Sequence, residues 1–228
     1  MSGRTSPRMS PDLRPDGDGP RYFGLYSALV TDLVDPDGLG RIEVRFPWLG
    51  GDGDEVRAWA TLLSPYADND QGLQVLPEVG SQVVVGFEAG SPRRPYIVGA
   101  AWNGRESLPA DPEPANNLRV FRTRSGSVLE FDDTQGAVKV TLSTRSGHRL
   151  VMTDAPPEVS LEHQNGCRIV MNAAGQVRID ANVSVDVTAS LVNVHAPMAI
   201  FDGTIQCTTL IATSVVSASY TPGAGNIW

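Results

Sequence analysis

The sequence predicts an all-β protein: a small closed barrel followed by a long, repeat-built β needle in which several chains share the walls. Three observations carry this. Residues 21–105 hold five short apolar runs separated by turn residues, with no helical periodicity. Residues 119–180 repeat the pattern Gly, two residues, apolar, one residue, apolar. Beyond Asn182 the chain keeps an alternating apolar stripe but almost no charge: Asp186 and Asp202 are the only charged side chains in 182–228.

Residues 1–20 are Ser-, Arg-, Pro-, Asp- and Gly-rich, without an apolar anchor, and are expected to form a flexible arm. They lack the apolar segment of a secretory signal, so synthesis in the cytoplasm is expected. The barrel segment 21–105 opens with Leu25–Val34, closed by the turn Asp35-Pro36-Asp37-Gly38. In the next run Ile42, Val44 and Phe46 alternate onto one face, and Pro47 ends the ladder because it has no N–H to donate. Ala58–Leu63 is a third strand. Ser81–Phe87, rich in Val, is a fourth, expected to be buried on both faces. Arg94–Ala101 is a fifth. Five short strands in such a span favour closure into a barrel. Residues 106–118, with three Pro and three acids, read as a stiff connector.

The needle segment is 119–217. Its repeat glycines are Gly126, Gly147 and Gly166, and second strands are expected at Ala137–Leu142, Glu158–Leu161 and Gln176–Ile179. The turns between them are Asp132–Gly136 and Asn172–Gly175. Further strands are expected at Thr204–Ile211 and Thr213–Ser217. Strands with only two or three inward residues each, and no helix to cover them, cannot close a core within one chain. A single-chain solenoid or several intertwined chains can. The shortened spacing after Asn182 favours three chains wound about one axis. In that case folding of 119–228 is inseparable from assembly, and an isolated chain is expected to leave it largely unfolded.

Several residues match a known pattern. They are Gly40-Arg41-Ile42-Glu43-Val44-Arg45-Phe46-Pro47-Trp48, then Trp59, Leu76-Pro77-Glu78-Val79-Gly80, Val84-Val85-Gly86-Phe87-Glu88, Arg94-Pro95-Tyr96-Ile97-Val98-Gly99 and Trp102-Asn103-Gly104. In order and spacing, residues 41–104 resemble the OB-fold domain of contractile-tail spike proteins. These include phage baseplate assembly protein V, the spikes of contractile injection systems and the valine-glycine repeat spikes of type VI secretion. The family positions are Arg41, Phe46, Pro47, Trp48, Trp59, Pro77, Gly80, Gly86, Pro95, Gly99, Trp102 and Gly104. Residues 119–228 are similar in character to the family's triple-stranded β-helix.

The resemblance implies a homotrimer whose OB barrels sit under a hub and whose needle pierces a target membrane, commonly with a PAAR-type tip protein at its end. With only about 20 residues before the barrel, the hub is expected to be a separate chain. A type VI spike, which usually carries a fused hub, fits less well than a phage tail, tailocin or extracellular injection system. The short connector leaves no room for the lysozyme domain that some phage spikes insert there. No cofactor is implied. The expected role is structural, not enzymatic; a trimeric β-helical depolymerase or carbohydrate-binding fibre is the alternative.

Individual sites fit that reading. A glycosidase needs two carboxyls across a cleft, whereas Asp132 and Asp133 are adjacent in an expected turn. His195 in an axial position of a trimer could hold a metal with its two copies. If Val192 and Val194 face inward, however, it points outward. The run Gly50–Gly53 lacks the Lys-Ser/Thr of a phosphate-binding loop. With 18 basic against 26 acidic residues and no basic aromatic groove, nucleic-acid binding is not expected. Trp48, Trp59 and Trp102 are expected in the barrel core or at trimer contacts. The tip region 218–228 ends in Ile227 and Trp228. With Tyr220 and Pro222, these either dock a tip protein or plug the end of the needle.

Overall fold

The computed structural model describes residues 20–50 and 55–218. The arm 1–19, the Gly51–Asp54 part of the glycine run and the tip residues Tyr220, Pro222, Ile227 and Trp228 lie outside the described residues. The chain divides into two units, one ending at Asp180 and one beginning at Ala181.

The first unit opens with β1 (Tyr26–Asp32), β2 (Ile42–Arg45) and β3 (Arg57–Leu62). A two-residue hairpin, β4 (Ala67–Asp68) with β5 (Gln71–Gly72), follows. Then come β6 (Gln82–Phe87) and β7 (Pro95–Ala100). The sheet closes in the order β1-β2-β3-β7-β6, with β1 pairing back onto β6. Every pairing is antiparallel except β3 with β7. Alternation explains the core. Ala28 and Val30 of β1, Ile42 and Val44 of β2 with Phe46 after it, Ala60, Val83, Val85 and Ile97 all point inward and are buried. The Val-rich strand β6 departs from expectation. Val83 and Val85 are buried but Val84 is half-buried, since a closed barrel has one inside face and leaves the alternate residue on the outer wall.

No strand occurs between β7 and Leu118. A seven-stranded sheet follows: β8 (Leu118–Arg122), β9 (Val128–Asp132), β10 (Lys139–Ser143), β11 (Arg149–Asp154), β12 (Pro157–Glu162), β13 (Arg168–Asn172) and β14 (Val177–Asp180). Each strand pairs antiparallel with the next, giving an open meander. The repeat glycines make its turns. Gly126, Gly147 and Gly166 have φ of 88°, 97° and 92°, the left-handed region that glycine enters at least cost. Each donates its N–H back three residues, to the carbonyl of Thr123, Thr144 or His163, at 2.9–3.0 Å. Strand β8 has no counterpart in the expected repeat. It pairs β9 as the first strand of the meander.

The strand ladders of 118–180 are thus made within one chain, without the intertwining expected of them. The glycine turns return each strand beside its predecessor. What one chain leaves unsatisfied is one face. Register places Phe131, Val140, Met152, Val159, Met171 and Val177 in one cross-strand row. A second row holds Phe121, Leu129, Leu142, Leu150, Leu161, Ile169 and Ile179. Phe121, Leu142, Leu161 and Ile179 are each more than half exposed. The opposite face carries Glu130, Thr141, Val151, Ser160 and Arg178 across its middle. There Thr141 and Ser160 are buried beneath longer neighbours.

The second unit, 181–218 among the described residues, is extended and exposed throughout, and none of it is paired as a strand. The strands expected at Thr204–Ile211 and Thr213–Ser217 are therefore not formed here. An extended run becomes a strand only when a neighbour satisfies its N–H and C=O groups, and this unit offers itself none. The backbone nevertheless bends at regular points: Ser190, Pro197, Gly203, Thr208, Thr213 and Ala218. From Gly203 onward the bends are five residues apart. Between them Ile205, Leu210 and Val215 recur at the same position. This five-residue repeat is not apparent from the alternation alone.

Candidate functional site

The family positions in the barrel are frame residues. Phe46 fills the core, and Pro47 takes the second position of a turn closed by Leu49 N–H to the Phe46 carbonyl at 3.2 Å. Gly80, at φ 89°, donates to the Val30 carbonyl at 2.9 Å, tying the β5–β6 loop to β1. Pro95 is buried at the first position of β7, where its missing N–H costs least. Pro77 is half-buried in the loop before Gly80. A Cβ at Gly86 would sit 3.7 Å from Leu25 Cδ2, whereas Gly99 and Gly104 face open space.

Arg41 is the electrostatic centre of the barrel. Asp35, whose side chain is 3% exposed, accepts backbone N–H bonds from Asp37, Leu39 and Arg41. It also takes the Arg41 Nε and Nη2 donors, both at 2.8 Å. Arg41 Nη2 bonds Asp37 at 2.6 Å as well, and the guanidinium lies 5.9 Å from the Trp59 ring. The Arg41 side-chain bonds hold the Asp35 carboxyl far below its ordinary range, and the same bonds raise Arg41. The β1–β2 turn is thereby clamped as an ionised pair.

None of the three tryptophans is in the barrel core. Trp48 stacks on Tyr26 at 4.7 Å, packs edge-on to Tyr22 and donates Nε1–H to the Ser27 carbonyl at 2.8 Å. Trp59 neighbours the inward Ala60 and so faces outward. Trp102, past the end of β7, is 64% exposed. The expected core placement is corrected for one reason: the inner face of so narrow a barrel is filled by Val, Ile, Ala and one Phe.

Carboxylates in the sheet also serve structure. Asp132 accepts the Thr134 hydroxyl and backbone N–H, which with Lys139 at 3.4 Å lower its pKa. This is the expected turn. A concavity of about 550 Å³ beneath the β12–β13 turn is lined by Glu162, His163, Arg168, Arg178 and Asp180, among others. Arg168 and then Arg178, each at 2.8 Å, hold Asp180 below its ordinary pKa. A general acid needs the opposite shift. Asp132 and Asp180 are fixed ionised acceptors.

The fold brings together one pair that looks scattered in sequence. His148 and His163, from turns two hairpins apart, stack at 4.4 Å between ring centroids. Only the meander register reveals this. Among the described residues no three His, Cys, Asp or Glu side chains cluster as metal ligands. His195 lies exposed in the second unit. Cys167 is half-buried and Cys207 exposed. No helix of the described residues is long and apolar enough to cross a membrane. A row-patterned apolar face lies exposed on the seven-stranded sheet. Its signal was in the sequence, as the paired apolar positions after each repeat glycine.

Comparison with known proteins bears on both parts. Residues 26–102, from the start of β1 to Trp102, match the family described as the Type VI secretion system/phage-baseplate injector OB domain. The chain is similar to the Type VI secretion system spike protein VgrG5 of Pseudomonas aeruginosa, 28% identical over 159 residues, which cover 66% of this chain and 19% of that protein. It is also similar to spike protein VgrG4b of the same organism, 29% identical over the same shares. Spike protein VgrG3 of Vibrio cholerae is 26% identical over 142 residues, 59% of this chain and 14% of that protein. Each aligned stretch is longer than the barrel, so the likeness extends past it. The chain spans about a fifth or less of the length of these curated relatives.

Proposed function

We propose that this chain, built on an injector OB domain, is a structural spike of a contractile injection apparatus and works as a homotrimer. The observation that carries the reading is the join of two features. A spike-family barrel leads into a sheet that carries two exposed rows of large apolar side chains on one face. Three such sheets, apolar faces turned to a common axis, form a closed prism with the polar faces outside. Burying one Leu, Ile, Phe or Met side chain is worth about 1.5–3 kcal/mol, and about half of that for residues already half covered. Two rows of them are worth on the order of 10 kcal/mol per chain, enough to drive assembly.

In this reading the barrel end meets a separate hub, and residues 181–218 continue as the shaft. Their bends are the corners of the winding, and neighbouring chains supply the ladder that one chain lacks. A shaft without Lys or Arg lowers the cost of meeting a bilayer, where each charge is expensive. Ile227 and Trp228, with Tyr220 and Pro222, are the docking face for a small PAAR-type tip protein. The mechanism is mechanical: a narrow rigid body transmits axial force and makes no bond chemistry. The particle is a phage tail or a phage-tail-like machine. The likeness to type VI spikes admits that setting too.

Sedimentation equilibrium tests the proposal. The full chain is expected at about three times its 24.3 kDa mass. A folded monomer at micromolar concentration sinks the reading.

A further inference from the structure

The turns of the seven-stranded sheet collect on two opposite edges. One edge is formed by the turns 123–127, 144–148 and 163–167, the other by 133–138, 155–156 and 173–176. The edges differ in sign. On the first, Arg122, Arg124, Arg145, Arg149 and Arg168 outnumber Glu162 and Asp180. On the second, Asp132, Asp133, Asp154 and Glu158 outnumber Arg119 and Lys139.

Part of this charge is settled inside the chain. Arg168 pairs with Asp180, Arg124 with Glu78 of the barrel, Lys139 with Asp132 and Arg119 with Asp133. Arg145 and Arg149 on the basic edge make no ion pair among the described residues, nor do Asp154 and Glu158 on the acidic edge. These four lie within about one strand of β11 in the stack. Arg149 begins β11 and Asp154 ends it; Arg145 is in the turn before, and Glu158 is in the strand after. Six residues of strand hold the two ends about 17 Å apart. That is beyond the screening length of about 8 Å at physiological salt, so Arg149 and Asp154 cannot serve each other within a chain, although Glu158 still acts at a distance on Arg168.

A threefold axis along the stacking direction leaves height unchanged. It brings the acidic edge of one wall against the basic edge of the next at the level of β11. We propose that each corner of the prism is closed by an ion-pair cluster between copies of this chain: Arg145 and Arg149 of one against Asp154 and Glu158 of its neighbour. This rests on the trimer reading and adds to it a directional contact. The apolar face favours any close packing of sheets, whereas the charged edges admit one neighbour in one orientation and register.

Charge exchange in the full-length protein tests this, with oligomeric state and the thermal midpoint of trimer dissociation as readouts. The variants are Arg145→Glu, Asp154→Arg and the two together. Each single variant is expected to lower the midpoint by at least about 2–4 °C at low salt. The double exchange is expected to recover most of the loss. In about 1 M NaCl, where the screening length is about 3 Å, the single variants should converge on the wild type. An intact trimer whose midpoint ignores both single variants overturns the corner contact and leaves the trimer standing. So does a double exchange no better than its worse parent. A wild-type monomer instead fails the trimer reading itself. If Arg145→Glu does not fold, Asp154→Arg with its rescue decides the matter alone.

Discussion

At the residue scale, the Arg41–Asp35 clamp has a consequence that pH can read. Asp35 gains its bonds only in the folded barrel, and Arg41 holds its carboxyl well below the ordinary range. The folded pKa is lower than the unfolded one, which lies near 3.9. The sign follows: the clamp's contribution is complete above about pH 4 and is lost as pH falls from there toward the folded value. Arg41→Gln is therefore expected to lower the barrel's melting temperature at pH 7. It should also flatten the loss of stability between pH 4 and pH 2, measured by thermal denaturation at each pH. A wild-type acid limb no steeper than the variant's would remove the clamp from the account. Arg41 was legible in the sequence only as a family position. Its partner Asp35 was read as a plain turn residue, because sequence marks a turn but not which donors converge on its carboxylate. Of the two places expected for Trp48, Trp59 and Trp102, barrel core or trimer contact, the core is excluded: a narrow barrel has room for small branched side chains and sends large rings outside.

At the scale of elements, the two faces of the seven-stranded sheet should respond differently to the same change. Leu150 and Leu161 lie in one apolar row, and Glu130 and Thr141 lie on the other face. Leu161→Glu is expected to abolish the trimer or weaken it by several kcal/mol, since it places an unpaired carboxylate in each of three converging walls. Glu130→Gln should leave assembly within about 0.5 kcal/mol of wild type. Sedimentation velocity separates the two outcomes, and equal effects from both faces would sink the inward assignment. The hairpin pattern was readable because each repeat glycine must enter a left-handed turn and the alternation continues from it. Strand β8 escaped, since no repeat glycine precedes it and its residues Arg119 and Arg122 interrupt the apolar signal. The reading also took edge pairing and face covering as one problem for several chains. The sheet separates them. Ladder bonds are closed locally by short turns, while the apolar face has no second layer in the chain.

At the scale of the whole molecule, charge divides the chain. The formal charge is −8, and only Asp186 and Asp202 of it fall beyond Asn182. In the proposed trimer, repulsion among three copies would be concentrated before Asn182, where Arg-carboxylate pairs offset it locally. Deleting Ile227 and Trp228 tests the division of labour at the other end. The shortened chain is expected to remain trimeric by mass and to lose binding of a PAAR-type tip protein in a pull-down. Loss of the trimer would mean that these residues plug the prism.

The sequence by itself determined the all-β class, the order barrel then repeats, the inward face of β2 and the paired apolar positions after each repeat glycine. Those depend on alternation, glycine and proline, which act over a few neighbours. Only the tertiary structure decided that 118–180 closes its ladders within one chain and that two rows of large apolar side chains share one exposed face. It alone brings His148 against His163 and places Arg145 and Asp154 near β11 on opposite edges. These depend on register accumulated over seven strands, where a shift of one residue would reverse every face, and no local signal carries that sum.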